Sequence, residues 1–187
     1  MIRPIRELGA HVSILGFRGV RVSEVEAFLK ELKGAASPAE VQVFDADRVA
    51  GWRHLFFAGV NALKAFKSGR SVSGGLAVET LVYASGQGQI GKAIKMLGVK
   101  ESSSNLAVLI IGTDRGVVER ATERVSRLVP GRIDDGVLEI RSEGKFNELA
   151  SLFGITREEL ETVVSETREE ALTMLVIERG ALLSIEH

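Results

Sequence analysis

The order of strand-like and helix-like segments places the strongest constraint on the fold of this chain. Continuous or alternating apolar runs predict strands, whereas apolar residues that recur every three or four positions predict helices. On this basis the 187 residues predict the order β-α-β-α-α-α-β-α-β-α-α. Strands and helices do not alternate strictly in it. We therefore expect an α+β fold, with a small mixed or antiparallel sheet packed against several helices, rather than a doubly wound sheet.

Individual segments follow from these patterns. The predicted strands span 5–18, 41–44, 106–111 and 137–140. The predicted helices span 23–34, 52–67, 76–85, 89–97, 115–129, 147–153 and 169–178. The pattern of the last one allows it to continue past Gly180. Capping-box patterns at 23–26 and 156–159 predict two helix starts. The loop 68–75 holds three glycines and three serines, so we expect it to be polar and mobile.

Length and composition predict one domain over residues 1–187. Hydrophobic residues make up 45% of the chain, which is enough for a core and excludes wholesale disorder. We find no internal repeat, low-complexity tract or interdomain linker. A chain of this length favours a single domain.

Residue usage excludes several classes of site. The chain has no cysteine and only three histidines, so a disulfide framework, a thiolate metal site and a cysteine nucleophile are ruled out. A histidine metal cluster or a catalytic triad is disfavoured for the same reason, and we expect no metal and no cofactor. The sequence shows neither a signal-peptide pattern nor an apolar run of the roughly 18 residues needed to span a membrane. We expect a cytoplasmic protein without a membrane partner.

Charge is distributed unevenly along the chain. The net charge is −1, but the segment 48–100 carries eight basic residues and one acidic residue, a net charge of +7. Lysine and arginine release counterions when they bind a nucleic-acid backbone, so such a segment favours a phosphate-binding surface. A solvated helix face that happens to be basic is the alternative.

A glycine motif in the basic segment suggests a nucleotide site. Gly86–Ala93 matches the phosphate-binding pattern G-x-x-x-x-G-K, in which backbone N–H groups surround the phosphates and a following Ser or Thr binds Mg²⁺. Here that last position is Ala93, and the preceding residues 76–84 fit a helix better than the buried strand that the motif requires. We favour a turn between two helices. A P-loop-like nucleotide-binding enzyme that uses Gly86–Lys92 is the alternative.

A longer pattern in the same segment is more specific. Its parts are N-A-L-K-A-F at 61–66, E-x-L-x-Y-x-S at 79–85 and Q-I-x-x-A-I-x-x-x-G at 89–98, after V-Q-V-F-D-A-D-R-V-A-G at 41–51. In these motifs and their order the chain resembles the kinase-binding subunit of the KEOPS (EKC) complex. That complex installs N6-threonylcarbamoyladenosine in the anticodon loop of tRNAs. The resemblance extends over nearly the whole chain.

The resemblance implies a subunit that is not an enzyme. Members of that family bind the small atypical kinase of the complex, which contacts the threonylcarbamoyl-transferase subunit, and they help to hold the single-stranded 3′ CCA tail of tRNA. The basic excess of the segment 48–100 supports RNA binding independently. A protein-interaction module with no role in RNA binding is a further alternative.

The positions that match the family motifs suggest an RNA site. Lys64 and Arg70 would neutralise phosphates of the tail, and Ser85 and Gln89 would donate hydrogen bonds at the turn between two helices. Ile90 would offer an apolar platform for a base, although core packing explains it equally well.

Two further groups of residues complete these expectations. Lys92 and Lys95 would add positive charge to the RNA site, with ordinary solvation as the alternative. Leu172, Leu175 and Val176 give the last helix more apolar surface than packing of one side requires. We expect part of that surface, with some of the first helix, to contact the kinase, and core packing is the competing interpretation.

Overall fold

The apolar run at 106–111 forms the centre of the sheet in a computed structural model that describes residues 2–186. The strands are β1 (Ile2–Ile5), β2 (Ala10–Arg18), β3 (Glu40–Asp45), β4 (Asn105–Gly112) and β5 (Arg132–Ile133). Their order is β1-β2-β4-β3, with β5 paired to β2, and every pairing is antiparallel. The antiparallel form of the predicted sheet is therefore the one observed.

Eight α-helices lie within the described residues. They are α1 (Val25–Ala36), α2 (Gly51–Lys67), α3 (Leu76–Ser85), α4 (Ile90–Leu97), α5 (Arg115–Leu128), α6 (Glu143–Leu152), α7 (Arg157–Thr162) and α8 (Arg168–Glu186). None of the helices within residues 2–186 combines the length and the apolar character needed to cross a bilayer.

Both faces of the sheet are covered, which explains why β4 is continuously apolar. Leu106, Val108 and Ile110 face a core formed with α1 and α5. The alternate residues 107, 109 and 111 belong to a larger core formed with α2, α3 and α8. The six side chains from Leu106 to Ile111 are at most 2% exposed. This arrangement of helices around one antiparallel sheet confirms the predicted α+β class.

The predicted strand 5–18 is wrong at its beginning. Arg6–Leu8 form a 3-10 turn, and Gly9 follows with a φ of +56°. The left-handed conformation that glycine tolerates reverses the chain, so β1 folds back against β2 with Ile5 opposite Ala10.

The predicted strand 137–140 is also wrong, because Asp135–Val137 form a 3-10 turn. The Asp134 carboxylate accepts a hydrogen bond from the Gly136 N–H at 3.0 Å and stabilises this turn. Val137 and Leu138 are nevertheless buried. Their apolar character therefore reflects core packing and not strand pairing.

Helix starts were predicted with mixed success. The capping box at Thr156 is confirmed: the Glu159 N–H donates to Thr156 Oγ1, and the Thr156 N–H donates to Glu159 Oε2 at 2.9 Å. The capping box at Ser23 is wrong, because α1 begins at Val25 and no side chain caps it. This helix also continues past Gly34 to Ala36, since buried Leu32 and Ala36 lie on the same face and packing extends the helix.

Candidate nucleic-acid interface

The loop between α2 and α3 is held in place by a buried carboxylate. Glu79 is 1% exposed; its Oε1 accepts a hydrogen bond from the Val72 N–H at 3.2 Å, and its Oε2 accepts one from the Ser73 N–H at 2.8 Å. The Arg70 N–H donates to the Ala65 carbonyl at 2.9 Å. The expectation that the loop 68–75 is mobile is therefore corrected: its backbone is fixed against the first turn of α3, and this fixes the position of Arg70.

Lys64 and Arg70 meet at a small cavity of about 80 Å³. Its lining residues are Asn61, Lys64, Ala65, Arg70, Tyr83 and Ser184. Tyr83 is only 6% exposed, so it lines the cavity from the side of the core. Two cations, an amide and two hydroxyls around a space of this size suit an oxyanion such as phosphate. The sequence analysis did not identify Asn61, Tyr83 or Ser184 as members of this site.

Part of the basic segment serves the fold itself. Arg48 lies 3.8 Å from Glu148, and Arg53 forms an ion pair with Glu170 at 3.0 Å. Lys67 donates to the Leu8 carbonyl at 2.7 Å. Among residues 2–184, whose side chains the structure describes, the remaining basic residues of the segment form no ion pair; they are Lys64, Arg70, Lys92, Lys95 and Lys100.

The glycine turn between α3 and α4 is packed against the last helix. Gly86 ends α3 with a φ of +62°, and a Cβ there would lie 3.2 Å from Arg179 of α8. Ser85 is 1% exposed, and its hydroxyl donates to the Val82 carbonyl at 2.9 Å. The prediction that Ser85 contacts RNA does not fit this burial, because its hydroxyl shapes the turn instead.

The other predicted RNA-binding residues lie on α4 and immediately before it. Gln89, Lys92 and Lys95 are exposed, whereas Ile90 packs against the larger core and is half-buried. They do not line the cavity that Lys64 and Arg70 share. The structure therefore brings two of the seven predicted residues together and leaves the α4 residues as a separate surface.

The glycine motif lacks the context of a phosphate-binding loop. It follows a helix, α3, instead of a strand, and Ala93 is fully buried on α4. The helix–turn–helix arrangement matches the favoured interpretation of the sequence.

The three residues predicted to contact a kinase belong to the core. Leu172 and Val176 are fully buried, and Leu175 is 5% exposed. Packing of α8 against α2 and α3 covers this side of the helix, so these side chains cannot meet a partner directly. Among the α8 residues up to 184, the exposed large apolar residues are instead Met174 and Leu182, which are 40% and 42% exposed.

A buried histidine joins the start of α2 to the end of α3. His54 Nδ1 accepts a hydrogen bond from the Ala50 N–H at 3.2 Å, and its Nε2 lies 2.7 Å from the Ala84 carbonyl. These partners assign the proton to Nε2 of a neutral ring. Burial lowers the pKa of His54 to about 4, against an ordinary value of 6.5, and the Ala84 carbonyl opposes this shift only in part.

We expect the free energy of unfolding to depend on His54 between pH 6.5 and pH 4. In this range the unfolded chain binds a proton at His54 and the folded chain does not. The contribution to stability is therefore complete above pH 6.5 and is lost as the pH is lowered. The loss should reach about 3 kcal/mol by linkage. Urea unfolding at several pH values checks it. The stability difference between wild type and His54→Gln should shrink toward pH 4; parallel stability curves for the two proteins would refute the assignment.

Two comparisons show which known proteins this chain is similar to. A family model described as kinase binding protein CGI-121 matches residues 17–184. The regulatory protein Cgi121 of Methanocaldococcus jannaschii is 34% identical over 142 residues, which cover 76% of this chain and 83% of that protein. The region matched by the family model includes β4, the hairpin of α2 and α3, and the exposed residues of α8.

Proposed function

This chain belongs to the CGI-121 family of kinase-binding proteins, and we propose that it is the subunit of KEOPS that binds the small atypical kinase and the 3′ CCA tail of tRNA. In this role it performs no chemistry itself. It supports the formation of N6-threonylcarbamoyladenosine in the cytoplasm and is linked to the transferase subunit through the kinase. The observation that carries the RNA part is the cavity at which Lys64 and Arg70 meet.

The cavity can hold a phosphate of the tail. Lys64 and Arg70 supply positive charge, and Asn61 and Tyr83 supply hydrogen-bond donors around the same space. A volume of about 80 Å³ leaves no room for a base beside the phosphate. The bases of the tail then lie outside the cavity, where aromatic and apolar surfaces are available for stacking.

The α4 surface offers further positive charge to the same RNA. Lys92 and Lys95 are exposed, and Gln89 precedes the first turn of the helix. Two separate basic surfaces can contact one tRNA because its phosphates extend over both. We assign Lys64 and Arg70 to the tail and the α4 residues to sequence-independent contacts with the backbone.

The kinase part of the proposal concerns the exposed side of α8. Met174, Glu178 and Leu182 recur every fourth residue and therefore form one stripe. The buried side of the same helix holds Leu172, Leu175 and Val176 in the core. These three residues act on the kinase contact by fixing the helix on which the stripe lies.

We expect the double substitution Met174→Glu with Leu182→Glu to weaken binding to the kinase by at least about tenfold, because two charges would be buried at the contact. Isothermal titration with the purified kinase measures the effect. Val164→Glu is the matched control, since Val164 is 95% exposed and lies outside the stripe. Unchanged affinity of the double variant would remove the stripe from the contact.

The interaction module without RNA binding is the second candidate. It is favoured by the ion pairs of Arg48 and Arg53, which show that part of the basic segment serves the fold. The two candidates differ in one respect: only the first requires affinity for tRNA that depends on the CCA tail.

A further inference from the structure

A second cleft runs along α2 on the side that faces β1. Trp52, Phe56, Val60 and Lys64 recur at four-residue intervals and form one stripe along the helix. Two adjoining cavities of about 420 Å³ and 380 Å³ follow this stripe. Both are lined on the other side by Pro4 and its neighbours in and after β1.

Aromatic rings are exposed in this cleft. Phe57 is 39% exposed, and Trp52 and Phe56 are half-buried. The Trp52 and Phe56 ring centroids are 6.1 Å apart, and those of Phe56 and Phe57 are 5.5 Å apart, in both cases edge to face. Packing of the core does not explain why these three rings are partly exposed. The row that they form is available to a planar ligand.

The rim of the cleft is cationic. The Arg3 guanidinium lies 3.7 Å from the centre of the Trp52 ring, and Arg6 and Lys64 line the adjoining cavity, where Glu7 is the acidic residue. Arg53 is neutralised by its ion pair with Glu170. Exposed rings beside cations suit a ligand in which planar groups alternate with negative charges, as bases and phosphates do in a nucleic-acid strand.

The cleft is continuous with the phosphate-sized cavity. Asn61 and Lys64 line both spaces. From Trp52 to Lys64 the stripe extends for about 18 Å at 1.5 Å per residue. About five stacked nucleotides, at about 3.4 Å each, fit along this length.

We propose that this cleft binds unpaired bases of a single-stranded RNA, with one base stacked on Phe57 and phosphates beside Arg6 and Lys64. The inference rests on the proposed function, because it assigns the surface on which bases lie when the neighbouring phosphate occupies the cavity of Lys64 and Arg70. It moves the base platform away from Ile90, which packs against the core. An acidic peptide bound along β1 is the rival occupant. The row of rings favours RNA, since every base has a face to stack.

Intrinsic fluorescence can test the cleft directly, because Trp52 is the single tryptophan of the chain. The probe is an oligouridylate of about eight nucleotides, a length within the range of single-strand site sizes. We expect it to quench Trp52 emission on binding. Phe57→Ala should weaken this binding about tenfold, the effect of one lost stacking contact, and Phe57→Trp, which restores a ring but adds a second fluorophore, should recover the affinity measured by anisotropy.

Two controls distinguish a specific effect at the cleft from a loss of folding and from a failure of the proposed function. Leu128→Ala truncates a residue of similar exposure, 36%, on α5 and should leave binding unchanged; thermal unfolding verifies that each variant folds. The second control compares the binding of tRNA with and without its CCA tail. Equal affinity for the two RNAs would contradict the proposed function. Oligouridylate binding that depends on Phe57 would still support the cleft in that case. An oligouridylate affinity that Phe57→Ala leaves unchanged would overturn the inference. A variant that lost binding to the kinase or to an acidic peptide but kept its oligouridylate affinity would also overturn it.

Discussion

Replacing Lys64 and Arg70 together by glutamate should weaken binding of intact tRNA by about 100-fold or more. Each side chain contributes a charge-assisted contact worth about 1.5–3 kcal/mol, and the new carboxylates add repulsion at the same cavity. The salt dependence should also become shallower, by about one unit of log–log slope for each lost phosphate contact. Filter binding over a series of salt concentrations measures both effects.

The matched control for this pair lies on the opposite face of the sheet. Lys30 and Lys33 are exposed on α1, and Lys30→Glu with Lys33→Glu makes the same change in net charge far from the cavity. We expect less than about threefold weakening from the control, in line with screened long-range charge. Equal losses in the two double variants would show that tRNA binding follows net charge and that the cavity has no special role.

Removing the Glu79 carboxylate should cost about 4 kcal/mol of folding free energy, since two hydrogen bonds to a charged group are lost and each contributes about 1.5–3 kcal/mol. The N–H groups of Val72 and Ser73 would lose their acceptor, and the loop 68–75 would be released. Urea unfolding of Glu79→Ala measures the stability. Hydrogen exchange at residues 72 and 73 should accelerate before the core opens.

We also expect Glu79 to affect tRNA binding through Arg70. At a temperature where Glu79→Ala is still folded, we expect weaker binding of intact tRNA, because Arg70 is no longer held at the cavity. Glu123→Ala on the exposed side of α5 is the control and should change stability by less than about 0.5 kcal/mol. Full stability of Glu79→Ala, together with unchanged hydrogen exchange at residues 72 and 73, would show that the carboxylate does not fix the loop.

Elements with strong periodicity were predictable from the sequence. The strand β4 and the helices α2, α3 and α4 lie within two residues of their predicted bounds, because a continuous apolar run or a regular apolar face depends on local spacing. Residues 137–140 were not predictable in this way. Buried Val137 and Leu138 resemble a strand in sequence, but the side chain of Asp134 closes a turn there, and tertiary packing determines which pattern prevails.

The site was predictable only where its residues carry charge. Lys64 and Arg70 are recognisable from the basic segment. Asn61 lies one turn before Lys64 on α2, and Tyr83 joins them only through the packing of α3 against α2. Glu79, buried in the first turn of α3, was a signal that could have been used. A carboxylate between apolar neighbours requires donors when it is buried, and the adjacent glycine- and serine-rich loop supplies them.

The last helix shows a different limit of sequence reasoning. Its apolar residues lie on two sides, and the sequence does not say which side packs against the domain. The structure buries Leu172, Leu175 and Val176 and exposes Met174 and Leu182. The excess of apolar surface was a useful observation, but the residues chosen from it were those of the core.

The central claim is that this protein holds the single-stranded end of a tRNA, and one titration tests it most directly. The wild-type protein is titrated with an intact tRNA and with the same tRNA lacking its CCA tail. We predict at least about tenfold tighter binding to the intact RNA, from stacking of its terminal bases and contacts to the tail phosphates. Equal affinity for the two RNAs would contradict the claim.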